Sequence, residues 1–347
     1  MLLNARHKFS SKNKIYYQNK KKLIFREIQS IKNTDNFEKK NCIICDQSNF
    51  EIINEVDRYG FYYPTGICKN CGMIQQSKYY NESYLQKFYS HFYNLFYSHF
   101  KNPKERFISQ FNGAIKSYHF IEEYLINNKI KILEIGCGAG GILKYYKNLG
   151  FDVTGLDYDE AQLEFGISKG LKLKSLNKIN FVNEKFDVII LSHVLEHMAF
   201  PDREIKNIKK LLTDNGILYI EVPSIHSIKN LNYNFNIRNY FHIAHFLHFS
   251  KSSFKNFMKK NNLNILKMND EIQCVVSKNQ INEKFDYISS YEKDLKEIKY
   301  IETYYNINKK ILFIKKFISR SKYIFFSLIK SLLPKIIIQY LKYFIKK

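Results

Sequence analysis

Apolar and polar residues follow two different rhythms along the chain after residue 104. Some stretches repeat apolar residues every three or four positions, as amphipathic helices do, and others are short apolar runs typical of buried strands. The two patterns alternate, which predicts a doubly wound α/β sheet with crossover helices. The predicted strands are 130–136, 151–157, 186–194, 215–223, 263–268 and 272–278, and the predicted helices are 106–126, 141–150, 202–212 and 251–262.

Four glycines lie close together after the first predicted strand. The sequence KILEIGCGAGG, at 131–141, holds Gly136, Gly138, Gly140 and Gly141 out of only 13 glycines in the chain. Glycine suits a loop that needs positive φ angles or that lets a ligand approach the backbone closely. In a doubly wound sheet the ligand binds at the carboxyl ends of the strands, so we predict that this loop binds a ligand.

An acidic residue ends the second predicted strand. Asp157 follows the first glycine by about 20 residues, the position from which a carboxylate accepts hydrogen bonds from ribose hydroxyls. Dinucleotide-binding proteins use a similar glycine loop, so the loop by itself leaves the kind of nucleotide open.

Four of the six cysteines form two short hooks. The hooks are CIIC, with Cys42 and Cys45, and CKNC, with Cys68 and Cys71, and 22 residues separate them. Two such hooks are typical of structural zinc, which uses four thiolates and keeps no open position for chemistry. We predict one structural Zn2+ in a zinc-ribbon-like module, and two unrelated thiol pairs are the alternative.

The positive charge of the chain lies at its two ends. A formal net charge of +23 would suggest binding to nucleic acid or to an anionic membrane. However, residues 1–41 hold 11 Lys and Arg against 3 acids, residues 309–347 hold 11 against none, and the middle has a net charge of only +4. This near-neutral middle argues against a nucleic-acid partner. The first residues lack the apolar core of a secretory signal, which predicts a cytoplasmic protein.

The tail at 309–347 combines bulky apolar residues with basic ones such as Lys316, Arg320 and Lys330. The polar positions recur about every three to four residues or twice that, which suits a helix lying in a membrane interface. Pro334 divides the tail into two predicted helices, and no run approaches the ~18 apolar residues of a spanning helix. We predict peripheral contact with the inner face of the membrane. A helix docked on the sheet and a dimer contact are the alternatives.

The motifs taken together resemble class I S-adenosylmethionine-dependent methyltransferases. Glu134 precedes the glycines in EIGCGAG, which resembles the first motif of that family. The likeness continues through VTGLDYDE and FDVIILSHVLEHMAFPDREIKNIKKLLTDNGILYIEVPS, and it covers roughly 115–280. The resemblance implies a Rossmann-like sheet and S-adenosyl-L-methionine (SAM) as methyl donor. The donor-binding residues that it implies are Glu134, Gly136, Cys137, Gly138, Gly140, Asp157, Tyr158, Ser192 and His193.

The chain is thereby divided into four predicted parts. A basic extension occupies 1–41, and the zinc-binding module with a Tyr-rich helix occupies 42–100. The methyltransferase domain occupies 101–280, and a helical tail, basic and amphipathic from 309, occupies 281–347. The Tyr-rich stretch at 79–100 either packs as an amphipathic helix or stacks on a sugar.

Histidines cluster where the methyl acceptor should bind. A hydroxyl or carbon acceptor has to lose a proton, and histidine is the first candidate for the base at neutral pH. SHVLEHM lies just after the fourth motif strand of the family. FHIAHFLHFS offers three histidines at a spacing of three, of which at least two could point together on a helix. The alternative is that these residues only shape or pack the pocket. The candidate catalytic residues are Glu196, His197, His245 and His248.

The segment SHVLEHM also departs from related quinone-pathway O-methyltransferases. In those proteins the corresponding segment has an acid, then Glu and His, and can hold a divalent ion. Here His193 replaces the first acid, which argues against a metal ion at this position.

A four-cysteine module ahead of a methyltransferase domain looks like bacterial methyltransferases of surface-polysaccharide and sugar modification, some of which methylate carbon on nucleotide-linked ketosugars. This resemblance implies a sugar acceptor, free, nucleotide-bound or lipid-linked, methylated on oxygen or carbon. The alternatives are an RNA or protein methyltransferase and a non-catalytic binding module that has kept the fold. The sequence leaves the oligomeric state open.

Overall fold

A seven-stranded sheet and a smaller four-stranded sheet form most of the fold. The structure is a computed structural model that describes residues 3, 5–8, 37–58, 62–80, 102–126, 129–176, 184–230, 233–278 and 285–332, with side chains in the last helix described up to Leu312. The strands are β1 (Phe37–Lys39), β2 (Phe50–Val56), β3 (Tyr62–Cys68), β4 (Ile74–Gln76), β5 (Lys78–Tyr80), β6 (Lys131–Ile135), β7 (Asp152–Asp157), β8 (Lys172–Ser175), β9 (Phe186–Ser192), β10 (Leu212–Glu221), β11 (Leu247–His248), β12 (Leu263–Met268) and β13 (Gln273–Lys278). The helices are α1 (Pro103–Ile121), α2 (Gly141–Asn148), α3 (Glu160–Ser168), α4 (Pro201–Leu211), α5 (Ile237–Tyr240), α6 (Lys251–Lys260) and α7 (Tyr291–Leu332).

The large sheet has the strand order β12-β13-β10-β9-β6-β7-β8. β13 is antiparallel to both of its neighbours, whereas β10, β9, β6, β7 and β8 pair in parallel. The chain runs outward from β6 to β8 and then returns to β9 on the other side of β6. The predicted doubly wound, Rossmann-like α/β fold is thereby confirmed.

Alternate residues of β6 face two different apolar clusters, one on each face of the sheet. Leu133 belongs to the cluster that also contains Ile205 of α4 and Phe257 of α6. Ile132 belongs to the cluster that contains Ile121 of α1 and Tyr146 of α2. Because both faces are covered, the parallel strands are nearly continuous apolar runs, which explains why the sequence predicts them.

The sheet has one strand that the sequence pattern does not predict. β8 lies at its edge, with Leu173 buried and both Lys172 and Lys174 exposed. A four-residue alternation in a lysine-rich run is a weak strand signal, since it buries little apolar surface.

The small sheet has the order β11-β4-β3-β2 and is antiparallel. β2, β3 and β4 follow one another along the chain near the N-terminus. β11, however, comes from the segment between β10 and β12 of the large sheet. Leu247 pairs with Gln75, and His248 pairs with Ile74. A strand from the second half of the chain therefore completes the cysteine-bearing module, and the two sheets share one apolar cluster.

β1 pairs antiparallel with β5, which places Tyr79 and Tyr80 in a strand. The Tyr-rich helix predicted for 79–100 therefore does not include its first two residues, and 81–100 lie outside the described residues.

The final helix, α7, is 42 residues long, or about 63 Å at the usual rise per residue. Leu295, Ile298 and Ile301 are buried and pack its first turns onto the core. The helical tail predicted for 281–347 thus contains a helix that begins at Tyr291, and Pro334 lies outside the described residues. Among the described residues, no helix is both long and apolar enough to cross a membrane.

Charged residues near the N-terminus hold that segment against α7. Arg6 Nε donates to Glu302 Oε1 at 2.7 Å, a second guanidinium nitrogen contacts Oε2, and Nη1 donates to Asn236 Oδ1 at 2.9 Å. His7 is buried, with Nε2 3.1 Å from Glu302 Oε2 and Nδ1 2.7 Å from Asn54 Oδ1. Burial would raise the pKa of the Glu302 carboxyl, but Arg6 and His7 outweigh it and hold that pKa well below its usual range.

Replacing Glu302 by Gln should lower the free energy of unfolding by up to about 3 kcal/mol, because a buried pair is broken and Arg6 loses its counter-charge. Denaturant unfolding at pH 7 measures this difference. A lowered carboxyl pKa stabilises the folded state above the unfolded value, so the difference should shrink as the pH falls below about 4.5. In the control Glu297→Gln, whose partners Lys229 and His226 are more exposed, the loss should be about 0–1 kcal/mol. Equal losses in the two variants would contradict the role of the N-terminal contact.

Candidate functional site

The loop after β6 has bare backbone in left-handed conformations. Gly136, Gly138 and Gly140 have φ angles of +75°, +54° and +77°, which residues with a side chain rarely adopt. Space excludes a side chain as well, because a Cβ at Gly136 would lie 2.5 Å from Val194 Cγ2 and one at Gly140 would lie 2.6 Å from Leu171. The glycine loop therefore packs directly on the loop that follows β9, and it can accept a ligand against its main chain.

Asp157 closes the glycine loop from the end of β7. Its Oδ2 accepts a hydrogen bond from Gly138 N at 2.7 Å, and its Oδ1 accepts one from Asp159 N at 2.9 Å. A carboxylate oxygen can accept more than one hydrogen bond, so Asp157 can also accept from the hydroxyls of a ligand. Tyr158 follows with its side chain 65% exposed at the same edge of the sheet.

Glu134 lies beneath the glycine loop and is only 1% exposed. Within the described part of the chain, its Oε2 has no hydrogen-bond partner. Burial and the nearby Asp157 carboxylate raise the pKa of Glu134 to about 8, although the Arg106 cation acts in the opposite direction. Glu134 Oε2 therefore keeps its hydrogen-bonding capacity for a further polar group beside the glycine loop.

Helix α1 contributes two side chains that sequence reasoning missed. Gln110 clamps the glycine loop, since Nε2 donates to Cys137 O at 3.0 Å and Oε1 accepts from Gly141 N at 3.3 Å. Arg106, one turn earlier, covers Gly138, where an added Cβ would lie 2.6 Å from Arg106 Nε. Their spacing shows that they share a helix face, but which face meets the loop depends on how α1 packs.

The loop after β9 begins with a strained residue. His193 has φ +56°, and its amide donates to Glu221 O at 2.8 Å. Its half-exposed ring lies between two carboxylates, with Nδ1 3.5 Å from Glu196 Oε1 and Nε2 3.9 Å from Glu221 Oε1. Partial desolvation lowers the pKa of His193, but the two carboxylates outweigh it and raise that pKa to about 9. Ser192 donates from Oγ to Glu221 Oε2 at 3.4 Å.

Glu196 and His197 of this loop converge with His245. One potential ligand atom from each lies within 4.8 Å of the other two. The rings of His197 and His245 are 4.6 Å apart and nearly perpendicular, and His245 Nε2 lies 3.8 Å from Glu196 Oε1. Glu196 is 1% exposed, and neither of its oxygens has a hydrogen-bond partner among the described residues. We call these three residues the base cluster.

Burial keeps the two histidines of the base cluster neutral. It lowers the pKa of His197, and together with neighbouring histidines it lowers the pKa of His245 well below its usual value. Nδ1 of His197 lies 2.9 Å from the carbonyl oxygen of Ala244, which can only accept. The neutral ring therefore carries its proton on Nδ1 and its lone pair on Nε2. The base cluster can accept a proton from a hydroxyl. It can also ligate a divalent cation, because His245 supplies a third ligand atom beside Glu196 and His197.

His242 and His248, the other two histidines of FHIAHFLHFS, differ from each other in their surroundings. Residues 241–246 are not helical, so their spacing does not place the histidines on one helix face. The rings of His242 and His245 are 3.6 Å apart, whereas His248 lies in β11 with Nε2 2.6 Å from the Tyr63 hydroxyl. The structure therefore brings His245 to Glu196 but places His248 against the small sheet.

The four hook cysteines also converge, with all four sulfurs within 4.8 Å of one another. The Sγ–Sγ distance is 3.3 Å between Cys42 and Cys71 and 3.4 Å between Cys45 and Cys68. In a tetrahedral site with Zn–S bonds of about 2.3 Å, the sulfurs are about 3.8 Å apart. The four thiols therefore fit around one tetrahedral ion.

The two hooks have the same backbone conformation. Asp46 N donates to Cys42 O at 2.9 Å, and Gly72 N donates to Cys68 O at 2.8 Å. Asp46 and Gly72, which directly follow each second cysteine, are both left-handed, at φ +59° and +87°. Each turn thus points its two thiols to the same side, as a shared ligand requires.

Comparisons with known proteins agree with this geometry. Residues 101–268 match the family model described as a methyltransferase domain. The chain is similar to the ubiquinone biosynthesis O-methyltransferases of Pelagibacter ubique (31% identity over 137 residues) and Haemophilus ducreyi (30% over 131 residues). Each alignment covers 31% of this chain and 56% of the relative, so the chain spans about half the length of these relatives. Among solved structures, it is similar to a SAM-dependent methyltransferase from Methanosarcina mazei at 19% identity and a TM-score of 0.36, covering 47% of this chain and 98% of that one.

The family match spans the glycine loop, Asp157 and the whole base cluster. The sheet order places the glycine loop and the base cluster at the carboxyl ends of neighbouring strands. Residues 101–268 therefore match a methyltransferase domain, and the strand order of the sheet is the one expected for the class I S-adenosylmethionine-dependent fold.

Proposed function

We propose that the protein transfers a methyl group from SAM to a hydroxyl oxygen of a small-molecule acceptor. The observation that carries this proposal is the contact between the glycine loop and the loop bearing Glu196 and His197, which joins a donor site to a proton acceptor. The names of the similar O-methyltransferases favour an oxygen acceptor over a carbon one.

The residues around the glycine loop would supply the groups that SAM needs. The glycine loop would let the donor lie against the main chain, and Asp157 would accept hydrogen bonds from its ribose hydroxyls. Glu134 would face the cationic part of the donor, and the Arg106 guanidinium would pair with its carboxylate. Bound SAM supplies a methyl group that its sulfonium already activates.

The base cluster would take up the acceptor's proton. As the acceptor oxygen bonds to the methyl carbon, the carbon–sulfur bond breaks, its electron pair stays on sulfur, and the hydroxyl proton moves to Nε2 of His197. The buried Glu196 carboxylate stabilises the resulting imidazolium. The main role left for the protein is to align the three reacting atoms and to exclude water.

The sugar acceptor predicted from the sequence stays a prediction. By their names, the similar O-methyltransferases belong to ubiquinone biosynthesis, so they do not favour a sugar. Methylation of RNA or protein, and a fold kept without activity, are further outcomes that one experiment separates.

Purified protein incubated with methyl-labelled SAM should label a hydroxyl-bearing small molecule. The acceptors offered are a small catechol, fractionated cell glycans and lipids, total RNA and a cell protein fraction. Label in the catechol or in sugar hydroxyls would support the proposal. The variant Asp157→Ala should bind S-adenosylhomocysteine about 10- to 150-fold more weakly in calorimetry, because a charge-assisted hydrogen bond is worth about 1.5–3 kcal/mol.

Asp152→Ala is the matched control, since Asp152 lies at the amino end of β7 and Asp157 at its carboxyl end. Its affinity for S-adenosylhomocysteine should equal that of the wild type. Label only in RNA or protein would overturn the acceptor class, and an absence of donor binding would overturn the methyltransferase activity itself.

We further propose that the four cysteines hold one structural Zn2+. The convergence of the sulfurs and the matched hook conformations support this, and four thiolates leave no position open for catalysis.

Elemental analysis of the purified protein should find about one equivalent of zinc. Cys68→Ser should lower both the metal content and the thermal stability. Cys274→Ser, a buried cysteine of β13, is the control that should alter stability alone. Undiminished zinc in Cys68→Ser would refute the site.

We also propose that the end of α7 attaches the protein to an anionic membrane surface. The described part of this helix already exposes apolar side chains, at Tyr300, Ile307 and Ile311. From 309 to 332 the helix carries seven Lys and Arg and no acid. Like charges of this density would repel a second copy of the helix, whereas they attract an anionic surface.

Full-length protein should sediment with anionic vesicles and stay in solution with neutral ones. A protein truncated after Leu312 should stay in solution with both, because each basic residue contributes about 1 kcal/mol at an anionic surface. Ending at Leu312 keeps that buried side chain and its carbonyl, which accepts from Asn234 Nδ2 at 2.8 Å. Donor binding should survive the truncation. Equal sedimentation of the two proteins would contradict the attachment.

A further inference from the structure

The segment 241–246 is buried but irregular, so its main-chain groups need partners from elsewhere. Most partners come from the small sheet and from the residues that directly follow β2. The hydrogen bonds are Arg58 N to Phe241 O (2.9 Å), Gln76 N to Phe246 O (2.9 Å), Gln76 Nε2 to Ile243 O (3.0 Å) and to His245 O (3.2 Å), and Ile243 N to Asp57 Oδ2 (3.4 Å).

Tyr63 of β3 holds the same segment through a single hydroxyl. Its side chain is 1% exposed, and its oxygen contacts both the carbonyl of His245 and Nε2 of His248. A carbonyl can only accept, so the phenol proton goes to His245 O. The phenol oxygen must then accept from His248, which places the imidazole proton on Nε2 and leaves the lone pair on Nδ1.

The opposite side of the segment faces the base cluster. Phe246 N donates to Glu196 O at 2.8 Å, and His197 Nδ1 donates to Ala244 O at 2.9 Å. Among the described residues, Nδ1 of His245 has no hydrogen-bond partner. The segment therefore links the small sheet to the Glu196 main chain and to the His197 ring.

The second cysteine hook belongs to the hairpin that carries Tyr63 and Gln76. β3 carries Tyr63 near its start and ends at Cys68, and β4, which carries Gln76, begins three residues after Cys71. The second hook is thus the turn of the β3–β4 hairpin, whose register pairs Gly66 with Gln75. An ion held at the hooks would lock the hairpin that supplies both Tyr63 and Gln76.

We propose that Tyr63 is a positioning residue of the acceptor site, which fixes the His245 main chain and selects the Nε2–H tautomer of His248. Through Tyr63 and Gln76, the four-cysteine module takes part in methyl transfer without touching either substrate. The naming of this region as the acceptor site rests on the proposed function, whereas the hydrogen bonds and the tautomer do not.

Nitrogen-15 NMR of histidine-labelled protein tests the proposal without any acceptor. At pH 7 the wild type should show His248, assigned by its loss in His248→Gln, as a neutral ring protonated on Nε2, since burial lowers its pKa to about 3. In Tyr63→Phe the signal should move toward a mixture of tautomers. Affinity for S-adenosylhomocysteine and zinc content should both stay at wild-type values.

Tyr146→Phe is the matched control, because it removes the hydroxyl of another buried tyrosine, which bonds Ser117 at 3.4 Å in the other apolar cluster. It should leave the His248 signal unchanged. An Nδ1–H tautomer in the wild type, or an unchanged signal in Tyr63→Phe, would overturn the proposal. The wild-type spectrum decides the question even if Tyr63→Phe does not fold, and neither spectrum depends on whether methyl transfer occurs.

Discussion

The buried main chain of residues 241–248 has to find hydrogen-bond partners on two sides at once, and the position of His245 beside Glu196 and His197 depends on this requirement. On one side β11 pairs with β4, while Gln76 and Tyr63 bind the preceding carbonyls. On the other side the loop after β9 binds Ala244 and Phe246. Since each neighbour binds different groups of the segment, the small module is a structural part of the methyltransferase domain and not an appendage to it.

The strand order of the large sheet places the glycine loop beside the loop that follows β9. The chain moves outward from β6 to β8 and returns to β9, so the loops that follow β6 and β9 emerge side by side. Gly136 then packs on Val194 with no room for a side chain. The glycine loop and the base cluster are therefore adjacent because of the topology, although Glu196 lies 60 positions after Gly136 along the chain.

What could be predicted from the sequence is what depends on local backbone requirements. Gly136, Gly138 and Gly140 stand out because their conformations exclude side chains, and the hook cysteines stand out because two thiols three residues apart fit one turn. Asp157 follows from the apolar run that it ends. Each of these signals consists of one short motif, or of two short motifs separated by only a short length of chain.

Residues recruited by tertiary packing carry no such signal. Arg106 and Gln110 look like ordinary polar positions of an amphipathic helix until α1 docks on the glycine loop. Tyr63 is one of 27 tyrosines, and only the pairing of β11 with β4 brings it to His248. His245 and His248 are equal candidates by spacing, and the irregular backbone at 241–246 is what separates them.

A single physical effect, the burial of imidazole rings, sets the charge state of the base cluster. SAM carries a sulfonium and an ammonium against one carboxylate, so a cationic base cluster would repel it and would also be unable to accept a proton. Burial disfavours the charged imidazole and thereby keeps His197 and His245 neutral beside Glu196. His193 is the cationic exception, and Glu196 and Glu221 together outweigh its charge. Because desolvation acts on the imidazoles before any ligand binds, it would both favour entry of the proposed cationic donor and leave the proposed base ready to accept a proton.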